Sequence, residues 1–380
     1  GVPVEIYSSS RVSVTGCSRY IRGAHACPPM TDARVFIDWL RARLVTGAID
    51  LVVPTSDLML FYLTCVYDVL SPAMQAMLGP PGAIADVLFK DRFYQRCVAL
   101  DFTTPRTLLP TSRDEALDLA SSLTWPIVAK PRSHIAVGLA RGQLARNIDE
   151  LAAVFVPFEI RPDCAFVLGD HPALRWPMLQ EYVPRALGNL FSVSGIIAPN
   201  GSVVAVSGAR KIRQWPPALG VGTLFESSSE ARPIDIALRI ATGLQQRGIF
   251  EIELIYDEAN ARYTVIDVNP RAFGQIALDI ARGNDLPWLW YRLACGETVP
   301  SRSAPADNMN WMHAIPYHVG ALIGIARGPG RRAALGSYRD VLREQHVDIV
   351  NTIRDPLPSL AFAARMFRHP VGLVRAFWKG

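Results

Sequence analysis

The sequence is short of lysine. Only four lysines, at 90, 130, 211 and 379, stand among 39 basic residues, and the other 35 are arginine. A chain that uses guanidinium wherever a positive charge suffices keeps an ammonium where a compact charge with three donors is needed, as at a phosphate. Charge of either sign is also sparse: 19% of the 380 residues are charged, and the formal net charge is +5. That balance is too mild to call for nucleic acid. With half the residues hydrophobic, it also excludes a disordered chain. Long apolar runs are missing. The longest, residues 58–67, is about half of what a bilayer crossing needs, so a soluble chain is expected. The six cysteines, at 17, 27, 65, 97, 164 and 295, are scattered. Cys17, His25 and Cys27 approach metal-ligand spacing but lack a second pair. Reduced thiols in a cytoplasm are therefore expected, with no signal peptide at the start. The sequence contains no G-x-x-x-x-G-K-[ST], no G-x-G-x-x-G opening a helix and no G-x-S-x-G. These absences argue against P-loop and dinucleotide folds and against a serine-nucleophile turn.

What is present reads as two or three domains. Residues 2–8 read as a strand, 31–48 as an amphipathic helix and 49–57 as a buried strand, a strand–helix–strand unit of a doubly wound sheet. The customary first strand of such a sheet is not among these residues. A helix over 86–100, a helix starting at Ser112 and a strand over 126–131 follow. Residues 178–213 are strand-rich, with a hairpin turning at Pro199-Asn200-Gly201. A loop at 214–223, a helix at 233–248, a second hairpin at 249–271 and helices at 276–296 complete the regular part.

The second hairpin carries the chemistry. Its simple register sets Glu253 opposite Asp267 and Glu251 opposite Asn269, all four on one face. Three carboxylates and an amide that close repel one another unless a cation sits among them. Their hard oxygens suit magnesium, which keeps water and nucleotide phosphates as its other ligands. Arg271, just past them, can meet a phosphate or carboxylate as a fork. Lys130 ends a strand, Lys211 lies on another, and Lys90 sits on a helix.

In this order the motifs resemble the ATP-grasp ligases, over about residues 90–275. The resemblance implies an α/β (α+β) chain with an ATP-grasp fold behind a Rossmann-like domain. The units would be 1–85, 86–176 and 177–320, with a helical tail at 321–380. It casts Lys90 in "FKDRFY" and Lys130 in "PIVAKP" as nucleotide-binding lysines. Glu181, Tyr182 and Val183 in "LQEYV" resemble the hinge that brackets adenine. Lys211 resembles the lysine near the transferred phosphate. Glu253, Asp267 and Asn269 resemble the metal ligands, with Arg271 over the reacting phosphate. ATP and Mg2+ are the implied cofactors, the metal as two ions that Mn2+ could replace.

The stretch "RQWPPALGVGTLFES" at 213–227 is similar to the carboxylate–amine ligase branch, which includes D-aspartate ligase-like enzymes. It makes Arg213 the candidate for the acyl substrate's carboxylate. The resemblance implies a cytoplasmic enzyme that joins a small-molecule carboxylate to an amine through an acyl phosphate. A carboxylase acting on bicarbonate and a non-catalytic ATP-binding protein are the alternatives. One departure is the loop at 131–143, which has only Gly138 and Gly142 where relatives are often glycine-rich. A homodimer is a candidate assembly. Residues 356–380 mix apolar side chains with Arg365, Arg368, Arg375 and Lys379, which suits weak contact with an anionic membrane surface. The plainer reading is two short helices, split at Pro370, packed on the core or on a second subunit.

Overall fold

The computed structural model describes residues 2–10, 13–133, 135, 142–160, 171–183, 188–215, 220–302, 309–327, 331–344, 346–348 and 354–368. The chain begins with two parallel strands, β1 (Glu5–Ser8) and β2 (Gly23–Ala26). Helix α1 (Ala33–Val45) follows, with the Asp32 side chain accepting from Val35 N at its start. The buried strand expected at 49–57 is not formed. Pro54 lacks an N–H for a ladder, Val52 N donates instead to Met74 Sδ, and the Ser56 side chain caps α2 (Asp57–Cys65). Helices α3 (Pro72–Leu78), α4 (Pro81–Leu88) and α5 (Lys90–Ala99) come next. The single helix expected over 86–100 is thus two. Phe89 takes an extended conformation between them, with φ −97° and ψ 112°, and this places Lys90 in the first turn of α5.

The next unit is a small antiparallel sheet. Its elements are β3 (Thr107–Leu108), α6 (Arg113–Ala120), β4 (Ile127–Lys130), β5 (Gln143–Ala145), α7 (Ile148–Val154) and β6 (Met178–Glu181). The strand order is β3-β6-β4-β5. Ala116, Ala120, Ile127, Ala129, Leu151, Phe155 and Leu179 pack its two helices against one face. Ser112 caps α6 through Glu115 N, as its place in the sequence suggests.

The large sheet follows, with β7 (Leu190–Ile197), β8 (Val203–Trp215), β9 (Val221–Ser228), α8 (Ala231–Gly243), β10 (Gly248–Asp257) and β11 (Arg262–Asn269). Helices α9 (Ile276–Ala281) and α10 (Leu286–Ala294), strand β12 (Asn310–Met312), helices α11 (Ala314–Arg327) and α12 (Arg331–Arg343), and strand β13 (His346–Asp348) complete it. The order is β11-β10-β7-β8-β9-β12-β13. Much of the loop expected at 214–223 is strand, since β8 runs to Trp215 and β9 starts at Val221. Residues 216–219 lie outside the described residues, as do His134 and 136–141 of the loop at 131–143.

One apolar core joins the first unit to the large sheet. It packs Phe36, Leu60, Tyr62, Met74 and Met77 with Ile196, Ile249 and Trp290. The last described helix, α13 (Pro356–Arg368), is tied to the beginning of the chain. Asp355, buried at its start, accepts from Ser18 Oγ at 2.5 Å and from Arg19 N at 3.2 Å. No helix among the described residues is long and apolar enough to cross a membrane. Pro370, Arg375 and Lys379 fall outside the described residues.

Candidate active site

The β10–β11 hairpin pairs Glu251 with Asn269 and Glu253 with Asp267, the register that simple counting gives. Beyond Glu253 the register slips, because Leu254 pairs with Val265 and Ile266 is left over. A bulge of this kind takes a backbone group out of the ladder and turns it elsewhere. The Ile266 carbonyl accepts from the Tyr94 hydroxyl and from Lys130 Nζ, the latter at 3.4 Å.

Helix α5 offers two side chains to this hairpin from one face. Lys90 and Tyr94 are four residues apart and therefore stacked along the helix. Lys90 Nζ lies 2.5 and 2.6 Å from the two oxygens of Asp267. Tyr94 Oη accepts from Lys130 Nζ at 2.8 Å. Burial pulls the Lys130 ammonium below its ordinary pKa, and the nearby Asp267 and Glu253 oppose that shift. The buried Tyr94 phenol is pushed far up, by desolvation first and by Asp267 second. Across the sheet, the buried Lys211 reaches Glu253 at 3.0 Å.

Glu251 is only 3% exposed. Desolvation first, then repulsion by Glu253, raises its pKa to about 7. It accepts from Ser192 Oγ at 2.5 Å, from Asn269 Nδ2 at 2.8 Å and from Gln275 Nε2. Arg271 donates from Nη2 to Asn269 Oδ1 at 3.0 Å and from Nε to Asp57 at 2.8 Å.

Among the described residues, no three His, Cys, Asp or Glu side chains are grouped so as to hold an ion by themselves. The candidate set of Glu253, Asp267 and Asn269 has two carboxylates and an amide. It fits magnesium by its chemistry, since all its donors are hard oxygens. Glu253 also crowds charge against Glu251, which Lys211 relieves in part.

The hinge candidates sit at the far end of the small sheet. Glu181 pairs with Ile127 and Met178 with Lys130, so roughly 10 Å of strand separates Glu181 from Lys130. Glu181 Oε1 accepts from Thr124 N at 2.8 Å, and Tyr182 N donates to the Pro126 carbonyl at 3.1 Å. Val183 follows on the same segment.

Arg213 does not join the group. Lys211 pairs with Phe225, but Arg213 pairs with Leu224 and Gln214 with Gly222. Adjacent partners on β9 point to opposite faces, so Arg213 lies on the face away from Lys211, with its guanidinium 5.8 Å from the Tyr317 ring centre. Gln214 returns to the Lys211 face. The position of Gly222 agrees, because a Cβ there would meet the Phe225 ring and Lys211 Cε.

Tyr94, Asp57, Ser192, Gln275 and Arg132 belong to the site or its frame but are not singled out by the sequence reading. Arg132 is buried, donates to the Trp176 and Pro110 carbonyls, and its own carbonyl accepts from Lys90 N at 2.7 Å. Only Tyr94 carries a legible signal, its spacing of four from Lys90.

No protein-family model matches the sequence, and no curated protein matches it either. Solved structures do match. One is biotin carboxylase from Campylobacter jejuni, with TM-score 0.60 and 13% identity over 80% of this chain and 68% of that one. Another is the biotin carboxylase domain of Hydrogenobacter thermophilus 2-oxoglutarate carboxylase, with TM-score 0.60 and 13% identity over 82% and 68%. A third is N5-carboxyaminoimidazole ribonucleotide synthetase from Thermus thermophilus, with TM-score 0.57 and 15% identity over 80% and 74%. Identities this low speak for the fold alone. The chain has the ATP-grasp fold.

Proposed function

We propose that the protein is an ATP-dependent carboxylate–amine ligase that works through an acyl phosphate and releases ADP and phosphate. The observation that carries this reading is the convergence of Lys90, Lys130, Lys211 and Arg271, drawn from three elements and the loop after β11, on the polar face of one hairpin. Four cations gathered on one face suit a polyphosphate.

In this reading a substrate carboxylate oxygen attacks the γ-phosphorus of ATP, the bond to the bridging oxygen breaks, and ADP leaves. Lys90 and Lys130 hold the nucleotide phosphates, and Glu181, Tyr182 and Val183 bracket the base. Lys211 and Arg271 meet the charge on the transferred phosphoryl group, which is stabilisation by positioned cations and needs no protein nucleophile. Glu253, Asp267 and Asn269 would hold magnesium, whose charge screens the phosphate oxygens from the attacking carboxylate. The amine nitrogen then attacks the acyl carbon, the bond to phosphate breaks, and the nitrogen loses a proton. Arg213, on the opposite face, is assigned no part in these steps.

The similar structures include carboxylases, and one was solved with bicarbonate, so phosphorylation of bicarbonate is the second reading. The test is ADP release in Mg·ATP across a panel of amino acids, other carboxylates and amines, with bicarbonate added or removed. Release that needs an acid and an amine supports the ligase. Release that follows bicarbonate alone supports the carboxylase, and slow release that nothing stimulates overturns both.

A further inference from the structure

Arg271 is held from three sides. Its Nε donates to Asp57 at 2.8 Å, its Nη2 to Asn269 Oδ1 at 3.0 Å and its Nη1 to the Ala272 carbonyl at 2.9 Å. A guanidinium is planar with five N–H donors, so three fixed acceptors set both its position and its plane. One N–H on each Nη is then left over for an anion. Two of the acceptors come from the end of β11 and the loop after it. The third comes from the first turn of α2, more than two hundred residues earlier in the chain.

That third contact is a built one. The Asp57 and Arg271 side chains are each 19% exposed, so the pair is largely shielded from solvent. Ser56 caps α2 by accepting from Met59 N at 3.1 Å, which fixes the turn that carries Asp57. The partial positive charge of a helix N-terminus also favours a carboxylate there. A second tie runs beside the ion pair, since Ala272 N donates to the Pro54 carbonyl at 3.1 Å. The segment 54–57 therefore grips 271–272 through backbone and side chain together.

We propose that Asp57 is a positioning residue for Arg271, through which the N-terminal unit sets the guanidinium that faces the transferred phosphoryl group. This rests on the ligase reading for what Arg271 faces, but not for the grip itself. Asp57 makes none of the contacts assigned to ATP. Its loss should leave nucleotide binding alone and slow the transfer step, because a freed guanidinium samples many orientations.

The test uses the full-length chain and its Asp57→Ala, Asp57→Asn and Arg271→Lys variants. Kd for Mg·ADP, kcat for phosphate release from Mg·ATP with the acid and amine that stimulate ADP release, and solvent exchange of the Arg271 Nε–H resonance are measured, that resonance being identified by its loss in Arg271→Lys. Asp57→Ala is expected to lower kcat about tenfold and to speed Nε–H exchange at least tenfold, with Kd for Mg·ADP changed less than twofold. Asp57→Asn, whose amide oxygen still accepts from Nε, should recover most of the kcat. Unchanged exchange in Asp57→Ala overturns the proposal whether or not the protein turns over ATP. So does an equal loss of kcat in both Asp57 variants, or a weakened Kd. If Arg271→Lys keeps full activity, or the parent has none, the ligase reading fails instead, and the exchange result still decides whether Asp57 holds Arg271.

Discussion

Lys130 is a residue whose charge alone does not define its role. It is half-buried, and its ammonium is aimed by Tyr94 Oη at 2.8 Å and the Ile266 carbonyl at 3.4 Å. Lys130→Arg keeps the charge but brings a larger, planar head that the same space does not hold. Most of the ATP turnover is expected to be lost, whereas Lys379→Arg should have no measurable effect. Equal effects at both positions would show that the scarcity of lysine is incidental. The metal ligands make a companion case. Asp267→Asn and Glu253→Gln should each abolish Mg2+-dependent turnover while the far-ultraviolet circular dichroism stays unchanged. Asp279 offers a test through stability. It is buried with Ser194 Oγ at 2.8 Å, and desolvation raises its pKa from 3.8 to about 6. A carboxyl raised on folding contributes most below its unfolded pKa, and that contribution is lost as pH rises through the folded value. Between about pH 4 and pH 6 the parent should therefore lose roughly 2 kcal/mol relative to Asp279→Asn, read as a divergence of urea midpoints. Parallel pH profiles would refute it.

Among the elements, the hairpin shows how far sequence logic reaches. Alternation and the turn at 257–261 set the pairs Glu251–Asn269 and Glu253–Asp267 correctly, since a strand's period of two leaves few choices. The bulge at Ile266 and the irregular stretch of β8 past Lys211 were not legible, because no residue type there demands them. Their effects are large. One turns a carbonyl toward Tyr94 and Lys130, and the other carries Arg213 to the far face, although parity with Lys211 predicts the near one. The buried strand expected at 49–57 failed for a related reason: apolar residues fit it, but Pro54 and the Ser56 cap decide for a turn into a helix. At this scale Tyr94→Phe is the informative variant. It removes one hydroxyl that joins α5, β4 and the bulge, leaving the Ile266 carbonyl with only the 3.4 Å contact from Lys130 and Lys130 without its phenol acceptor, at a cost of about 1–3 kcal/mol. The expected result is a lower Tm together with a raised KM for ATP. An unchanged KM would show that Tyr94 braces the fold without aiming Lys130.

For the molecule as a whole, the order of motifs was the most legible feature, and the fold it implied is the one found. What order could not convey is how the ends of the chain meet. Ser18 and Arg19 hold Asp355 at the start of α13, and Asp57 holds Arg271, contacts with no periodicity to betray them. Deleting 356–380 should consequently lower Tm by several degrees, since it strips α13 from the surface that Ser18 and Arg19 border. A truncated protein that melts unchanged but no longer floats with anionic liposomes would instead favour the membrane-surface reading of that segment. The central claim is the acyl phosphate, and isotope transfer tests it most directly. The acid identified by the ADP-release screen is labelled with 18O in its carboxylate and turned over with ATP and the amine, and the released phosphate is weighed by mass spectrometry. An acyl-phosphate route predicts one 18O per phosphate, carried over when the amine displaces it from the acyl carbon. Phosphate without label, formed at the same rate as the amide, would contradict it.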